Sequence, residues 1–459
     1  MDGSGSPDTR RARVAIVGGG PGGLFTAYML NRYKPDLEVT LFEAADRLGG
    51  KIMTRRLAGS GAMYEAGAAE LYDYSGIGED PLRSLVTDLG IATLPIEGGT
   101  VFFDGHRIES EQDISTCLGV EAHRQIEAYT RKARTLFSPA AYFDEDYASP
   151  QSAALAGKTY ADHLCGIKDG LARRFVEVVA HSDVATEAHA TSATYGVQNW
   201  LMNFPDYMSL YTLRGGLSTL VDGVAARLRA HIRLGSRIQA IEPQGDGRYR
   251  LTMASDDCLA SGDFDHVVVA LPPNHLSLLH FPDLAMRKGV ARHLTHYDHP
   301  GNYLRISIAF PHPFWRDHVS GSYFMLDAFG GCCLYDESDR HPPGGPAVLG
   351  WLLAGDAALT YANMTDDELA LEAVRSLPRA MRTASPAPME HVVHRWVGSV
   401  NGWPMGSPIM DVGQRHRPAP KQHPRFLVVG DYLFDSTLNG VFDSAEFVAD
   451  LIAEALVEA

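Results

Sequence analysis

Hydrophobic and polar positions near the start of the chain follow a strand–helix–strand pattern. The branched and apolar run Val14–Val17 predicts a short buried parallel strand. The next segment, Leu24–Tyr33, has a helical composition, and after the turn "YKPD" the run "EVTLFEA" predicts a second strand. This beginning predicts an α/β fold.

Helical and strand-like patterns occupy separate stretches further along the chain. The segments "GVEAHRQIEAYTRKARTLF" and "GLARRFVEVVAHSDV" predict helices, whereas "NYLRISIAF", "GSYFMLDAF" and "PAVLGWLLA" predict strands. A further helix is predicted for "TDDELALEAVRSL" because Thr365 and Glu368 have the spacing of a capping box.

Five glycines fall within six positions at the junction of the first strand and helix. Glycine is the costliest residue to order, so this cluster needs a reason. Gly18, Gly20 and Gly23 fit G-x-G-x-x-G, in which the glycines permit a tight turn, the approach of a pyrophosphate and close helix–strand packing. Pro21 suits a first helical turn, and the exposed N–H groups there can receive a diphosphate.

Two features after the second strand support a dinucleotide site. Glu43 lies about twenty residues beyond the last glycine, where a carboxylate accepts hydrogen bonds from a ribose diol. In the following run, "EAADRLGGKIMT", Gly49 and Gly50 allow a second loop to approach the cofactor. Arg47 and Lys51 bring positive charge to the diphosphate.

The run E-x-x-x-R-x-G-G-[RK] resembles the second signature of the flavin-containing amine oxidase superfamily. That superfamily includes amino-acid, monoamine and polyamine oxidases and related FAD-dependent desaturases. Further resemblances follow in order along the chain: "YEAGAAEL", "LRGGLSTLVDGVAARL", "SRIQAIEP", "FDHVVVALPP" and "FLVVGDYLFDSTLNGVFDSAEFVADLI". The resemblance therefore covers most of the chain.

The motifs and the resemblance together imply which residues contact FAD. The expected contacts are Gly18, Gly20, Pro21, Gly22, Gly23, Glu43, Ala44, Arg47, Gly49, Gly50, Lys51, Gly67, Ala68, Ala69, Ile238, Ala270, Gly430, Asp431, Gly440 and Val441. In the terminal motif, Gly440 and Val441 would begin a helix whose dipole stabilises negative charge on reduced flavin. No cysteine follows Cys333, so we expect FAD to be bound non-covalently.

The resemblance implies a Rossmann-like FAD-binding domain (GR2, amine oxidase type) combined with an α+β substrate-binding domain. The FAD-binding domain would consist of residues 1–78, 213–290 and 420–459. The substrate domain would consist of a helical part, residues 79–212, and a second part, residues 291–419. We expect the substrate cavity where these inserts cover the flavin, since domain interfaces commonly hold such pockets.

Composition and charge exclude some functions and leave others open. The chain has 459 residues, a net charge of −16 and five cysteines at spacings that fit neither a disulfide framework nor a metal site. The negative charge argues against nucleic acid as a partner. We expect a cytoplasmic protein without a membrane span or a metal. The assembly state is left open, with a homodimer as one form.

The resemblance implies oxidation beside nitrogen. The flavin would take a hydride from the carbon that bears nitrogen, giving an imine, and dioxygen would reoxidise it with release of hydrogen peroxide. Where relatives often carry a lysine that holds a water near the flavin, this sequence has Arg305. Arginine stays charged, so Arg305 would hold a water or an anionic group rather than act as a base, unless it is a solvent-facing strand residue.

A second departure concerns the third position after the flavin-facing Gly67. L-amino acid oxidases commonly place a carboxylate-binding arginine there, and this sequence has Glu70. A carboxylate would repel an amino-acid substrate but attract an ammonium, or accept a proton from an amine or amide nitrogen. The alternative is a Glu70 that faces solvent or pairs with an arginine.

Four residues are expected to contact the substrate. Thr437 occupies a position that is often aromatic in the family, which suits a bulkier substrate. Trp396 and Trp403 supply an aromatic wall, unless both are core residues. Tyr207 lines the cavity, or packs within the helical insert.

These features favour an FAD-dependent amine oxidase acting on an amine or amide nitrogen of a large molecule. Such a reaction is typical of the bacterial secondary-metabolite branch, antibiotic biosynthesis included, that is similar to lankacidin-type amide oxidase/cyclases. The expected partners are this small-molecule substrate and dioxygen. Three alternatives remain: an L-amino acid oxidase with Arg305 as carboxylate partner, a desaturase or isomerase, and a non-catalytic flavoprotein used as a binding module.

Overall fold

The computed structural model describes residues 11–142, 155, 157–253, 263–340, 344–404 and 410–457. The strands, numbered β1 to β20 in this order, are Arg13–Val17, Glu38–Phe42, Thr54–Arg56, Met63–Glu65, Leu71–Asp73, Thr93–Ile96, Gly98–Phe103, His106–Ile108, Ser209–Leu213, His231–Arg233, Ile238–Pro243, Tyr249–Met253, Asp263–Phe264, His266–Val269, Pro300–Phe310, Tyr323–Leu326, Cys332–Asp336, Ala347–Ala354, Glu390–Asn401 and Phe426–Val428.

The helices alternate with these strands and are longest in the first insert and at the end of the chain. They are Pro21–Tyr33, Pro81–Asp88, Glu111–Leu118, Val120–Leu136, Pro139–Tyr142, Tyr160–Leu164, Gly170–Val184, Ala193–Leu201, Ser218–Ala225, Pro273–Leu276, Leu284–Tyr297, Gly355–Tyr361, Asp366–Ser376, Arg379–Ala384, Val412–Arg415 and Leu438–Ala455. Short 3₁₀ turns are Phe314–Asp317, Ala328–Gly330, Ser338–Arg340 and Asp431–Leu433.

A parallel sheet has the strand order β10-β2-β1-β14-β20 and contains both strands of the strand–helix–strand unit. Its central strand β1 pairs in parallel with β2 and β14, so that Ile16 lies opposite Leu41 and Val268. All three side chains are buried, because a parallel sheet covered on both faces needs apolar residues on both. The predicted strand–helix–strand beginning and the α/β fold class are confirmed.

One face of this sheet is covered by the first and last helices of the described chain. Pro21–Tyr33 packs against Leu438–Ala455, and the rings of Phe25 and Phe442 lie 5.2 Å apart between them. The opposite face packs against β11 and β12. Segments far apart in sequence therefore share one core.

A second, mixed sheet has the strand order β19-β15-β18-β17-β16-β7-β8. Strands β7 and β8 come from the first insert, and β7 pairs in parallel with β16 of the second. The first insert, which we expected to be helical, therefore also contributes strands, because its run of branched and aromatic residues "TVFF" joins this sheet. The predicted capping box is confirmed: Thr365 accepts a hydrogen bond from the Glu368 N–H, 3.3 Å away.

Helices of the first insert pack on this second sheet around buried side chains such as Phe175 and Trp200. The domain boundaries that the resemblance implies, after residues 78, 212, 290 and 419, stay a prediction. Across the described ranges, no helix is both long and apolar enough to cross a membrane.

Candidate active site

The glycine turn between β1 and the first helix brings three backbone segments together. Gly18 has a φ of +111°, a conformation that side chains disfavour. A Cβ at Gly23 would lie closer than 3.0 Å to the Gly18 carbonyl oxygen, so helix and strand approach as the motif predicts. A Cβ at Gly20 would meet nothing nearer than Gly50 Cα at 3.8 Å. The turn therefore presents bare main chain at the start of a helix.

Glu43 is held in place at the end of β2. Its Oε2 accepts a hydrogen bond from the Gly19 N–H and its Oε1 accepts one from the Ala45 N–H, each at 2.7 Å. A carboxylate oxygen accepts more than one hydrogen bond, so both oxygens keep capacity for the hydroxyls of a ribose. Ala44 is exposed beside it. This arrangement fits the adenosine half of a dinucleotide.

The two predicted cations of the second loop have protein partners. Arg47 donates to the carbonyl oxygens of Leu48 (3.0 Å) and Gly50 (2.7 Å), so it stabilises the loop conformation. Lys51 Nζ lies 3.2 Å from Asp431 Oδ2, which joins this loop to the terminal motif. The loop also contacts the glycine turn directly, since the Gly49 N–H donates to the Gly19 carbonyl at 2.8 Å.

The segment around Gly67 is fixed by contacts on several sides. The Ala68 N–H donates to the Lys51 carbonyl at 3.1 Å, and a Cβ at Gly67 would collide with the same oxygen. Trp396 Nε1 donates to the Ala66 carbonyl at 2.6 Å, while Arg340 Nη2 donates to the Ala69 carbonyl at 2.7 Å. The segment that precedes Glu70 is thus positioned by the Lys51 loop and by two residues of the second insert.

The remaining predicted cofactor residues lie at three places around the parallel sheet. Ala270 and Val441 both face Gly22, within 3.6–3.7 Å of where its Cβ would be. Ile238 is buried in the core that also contains Phe42, at the end of β2. Gly440 lies in the first turn of Leu438–Ala455, and Gly430 precedes the 3₁₀ turn Asp431–Leu433.

A buried network of four charges lies where the second sheet meets the Gly67 segment. Arg305 Nη2 donates to Glu337 Oε1 at 2.5 Å, and Arg340 Nη1 lies 3.4 Å from Glu65 Oε1 and 3.5 Å from Glu337 Oε2. The four side chains are at most 3% exposed. Two positive and two negative charges make the network neutral.

This network defines what Arg305 can do. Its guanidinium is paired with Glu337 and lies 5.3 Å from the centre of the Tyr335 ring, so it does not face solvent. Its Nε atom is buried without a hydrogen-bond partner. Arg305 therefore supplies fixed positive charge behind the cavity wall. Glu65, Glu337 and Arg340 were not identified from the sequence.

Glu70 lies between this network and a large cavity. Its Oε2 is buried and has no hydrogen-bond partner, whereas the Tyr335 hydroxyl donates to the carboxyl group. Burial raises the pKa of Glu70, and the Tyr335 hydrogen bond and the Arg305 charge offset only part of that rise. An unpaired carboxylate oxygen at a cavity wall is available to a ligand N–H or to a proton.

The cavity has a volume of about 1170 Å³ and is reached between the two inserts. Polar side chains gather at one end of it: Glu70, Tyr72, Asp183, Asn203, Tyr323 and Tyr335.

Asp183 is a functional candidate that the sequence interpretation missed. It lies in the last turn of Gly170–Val184, and Asn203 Nδ2 donates to its Oδ2 at 3.3 Å. Burial, together with the nearby Glu70 charge, raises the pKa of Asp183 to about 7. A carboxylate near a helix C-terminus interacts unfavourably with the helix dipole. The position of Asp183 at the end of a predicted helix was therefore the sequence feature that could have marked it as a functional candidate.

The four predicted substrate-contacting residues have different surroundings. Tyr207 is fully buried in the first insert and donates to the Phe137 carbonyl at 2.6 Å, and it is absent from the described residues that line the cavity. Thr437 is the N-cap of Leu438–Ala455, accepting from the Gly440 N–H at 3.1 Å. That role explains its small polar side chain.

The two tryptophans lie on opposite sides of the junction between the sheets. Trp396 is half-buried against Gly67, and the edge of its ring would lie 3.4 Å from a Cβ there. Trp403 has a φ of +44° and stacks on Tyr195, with ring centres 6.1 Å apart. A strained non-glycine residue at such a position indicates that the surrounding structure holds it there.

Comparison with known proteins agrees with this geometry. Residues 21–453 match the family described as flavin containing amine oxidoreductase, and the chain belongs to that family. Membership implies a flavin cofactor, and the glycine turn and Glu43 fit its dinucleotide part.

Three relatives show the range of the family. AofH of Mycobacterium tuberculosis, described as a flavin-containing monoamine oxidase, is 25% identical over 410 residues, 83% of this chain and 82% of the relative. The flavin-dependent L-tryptophan oxidase RebO of Lentzea aerocolonigenes is 24% identical over 385 residues, 77% of each chain. The structure of cyclohexylamine oxidase from Brevibacterium oxydans superimposes with a TM-score of 0.78 at 20% identity, covering 98% of this chain and 100% of that one.

Proposed function

We propose that this protein is an FAD-dependent oxidase that removes a hydride from the carbon next to an amine or amide nitrogen and so forms an imine. The observation that carries the proposal is the buried, unpaired Oε2 of Glu70 at the wall of the cavity, directly after the segment that the Lys51 loop holds. An acceptor at this place suits a substrate that presents an N–H group.

FAD would be held non-covalently by the glycine turn and by Glu43. Gly20 and Gly50 face each other as bare main chain beside which a diphosphate can lie, and the first helix directs its N-terminus there. The absence of any cysteine after Cys333 supports non-covalent binding. When bound, the flavin supplies the two-electron acceptor for the substrate and passes the electrons to dioxygen, which leaves as hydrogen peroxide.

The protein's own contribution is to orient the substrate and to move one proton. Glu70 accepts a hydrogen bond from the substrate nitrogen, and the upward shift of its pKa on burial makes its carboxylate a stronger proton acceptor for that nitrogen. Arg305 and Arg340 keep the ionised form of Glu70 accessible despite its burial. The surrounding apolar and phenolic side chains restrict water.

The cavity volume supports a bulky substrate. About 1170 Å³ lies somewhat above the usual range for small-molecule sites, roughly 300–1,000 Å³. A molecule of secondary-metabolite size fits this space, and an antibiotic-type intermediate is our working substrate class.

An L-amino acid oxidase is the second candidate, and the relationship to RebO favours considering it. It would need a cation for the substrate carboxylate. Arg305 is bound to Glu337. Of the arginines that line the cavity, Arg131 pairs with Glu127 and Arg134 pairs with Asp206. Glu70 and Asp183, which also line it, are both acidic. These contacts favour a substrate without a carboxylate near the reacting nitrogen.

The test is anaerobic reduction of the protein-bound flavin by a panel of bulky amines, amides and L-amino acids. We expect bleaching of the flavin absorbance by amines or amides and none by L-amino acids. Glu70→Gln should slow this bleaching by about 10²-fold or more, the usual contribution of a positioned proton acceptor. The matched control is Glu97→Gln, the same change at an exposed rim residue of the cavity. Equal rates in wild type and Glu70→Gln would refute the assigned role.

A further inference from the structure

Two carboxyl groups face the same cavity from different parts of the chain. Glu70 follows the Gly67 segment, whereas Asp183 ends a helix of the first insert. Both side chains line this one cavity, and the charge of Glu70 contributes to the raised pKa of Asp183. Asn203 fixes Asp183, and it is itself fixed by donating to the Asn199 carbonyl at 2.9 Å.

The nearby cations are already matched by other anions. The Arg305–Arg340 pair is balanced by Glu65 and Glu337, and His181 is bound to Glu187, with Nε2 and Oε1 3.1 Å apart. Among the described residues, Asp183 forms no salt bridge, and its hydrogen bond comes from the neutral amide of Asn203. The polar end of the cavity therefore has an excess of negative charge.

A contribution to folding stability does not explain why an aspartate occupies position 183. A buried carboxyl group without a counter-charge is costly, and it opposes the dipole of its own helix. The residue is also partly accessible from the cavity rather than packed into the core. Both features are expected of a group that meets a ligand.

We propose that Asp183 and Glu70 together bind a positively charged nitrogen of the substrate, and that Asp183 determines the preference of the cavity for a cationic amine over a neutral group of the same shape. This inference rests on the proposed function and narrows it, since it selects protonated amines rather than amides. A single ammonium group carries enough N–H donors to reach both carboxyl groups. Asp183 would act as a specificity residue, with Glu70 nearer the reacting nitrogen.

The test uses a matched pair of probes that cannot be oxidised at the carbon bearing nitrogen or oxygen. In 1-adamantylamine that carbon has no hydrogen, and 1-adamantanol has the same shape without the charge. Binding of each to the FAD-loaded protein is measured by titration calorimetry at pH 8, where Asp183 with its pKa of about 7 is ionised. Wild type, Asp183→Asn, Glu70→Gln and the rim control Glu97→Gln are compared.

We expect the wild type to bind the amine at least about tenfold more tightly than the alcohol. Asp183→Asn should lose most of that preference while its affinity for the alcohol stays the same, and Glu97→Gln should behave as wild type. An equal loss for both probes would show a purely structural role and overturn the inference, as would an unchanged preference in Asp183→Asn. Flavin content and circular dichroism confirm that each variant is folded.

This binding measurement is independent of turnover. If no amine reduces the flavin but the charge preference of the wild type is present and depends on Asp183, the proposed reaction fails and the cationic site stands. If amines reduce the flavin and the preference is absent, the reaction stands and the site assignment fails.

Discussion

Replacing Asp183 with asparagine should stabilise the protein, and more so as the pH rises. Asparagine keeps the size of the side chain and an acceptor for Asn203, but it removes a carboxyl group that burial disfavours in its ionised form. The pKa of Asp183 is about 7 in the folded protein, against a reference value of 3.8. Between these values the folded state binds more protons than the unfolded state, so the wild type loses stability as pH rises from about 4 to about 7.

The magnitude follows from the two pKa values. A pKa difference of about three units lowers the unfolding free energy of the wild type by about 4 kcal/mol once Asp183 is ionised in both the folded and the unfolded state, near pH 8. At pH 5 Asp183 still carries its proton in the folded protein, and the same linkage gives a destabilisation of the wild type of only about 2 kcal/mol. The advantage of Asp183→Asn over wild type should therefore about double between pH 5 and pH 8.

The assay is guanidinium or thermal unfolding of both proteins, each loaded with FAD, across this pH range. The control Asp36→Asn removes the same charge from an exposed turn, where the substitution relieves no burial of a carboxyl group. A stability difference for Asp183→Asn that is flat with pH, or one that decreases as pH rises, would refute the reasoning. It would mean that the carboxylate has a partner in the folded state.

Two further predictions concern the glycine turn and the charge network. Gly23→Ala should lower the flavin-to-protein ratio after gel filtration, because its Cβ collides with the Gly18 carbonyl. The control Gly76→Ala, whose Cβ would have no atom within 4 Å, should retain the wild-type ratio. Equal ratios in the two variants would contradict the packing role of Gly23. Arg305→Met should cost about 3–5 kcal/mol in unfolding free energy, because Glu337 loses its 2.5 Å partner and Arg340 alone then faces two buried carboxylates. The double variant Arg305→Met/Glu337→Gln should recover much of this loss, and no recovery would mean that the ion pair is not the cause.

The nucleotide-binding half of the site could be predicted from sequence because its signals are local. The glycine turn, Pro21 and Glu43 lie within one strand–helix–strand unit, where spacing alone fixes geometry. Arg47 shows the limit of these local signals. The sequence suggests a role at the diphosphate, whereas in the structure the Arg47 guanidinium donates to carbonyl oxygens of its own loop.

The substrate half could not be read in the same way, because its contacts join distant segments. The Glu65 N–H donates to Glu337 across 272 positions of sequence, and nothing near either residue signals the other. Asp183 looks like an ordinary polar residue of an amphipathic helix until the cavity is seen. For Tyr207 the sequence left cavity lining and core packing both open, and the hydrogen bond from its buried hydroxyl to the Phe137 carbonyl favours core packing.

The ion pair between Lys51 and Asp431 spans 380 positions. It closes the nucleotide site with a segment that leaves the ribosome long after the glycine turn has emerged. During synthesis, the strand–helix–strand unit is therefore made before β20 and before the helix Leu438–Ala455 that covers it. A chain that lacked this last helix would therefore expose the apolar face of the first helix, which the Phe25–Phe442 contact covers.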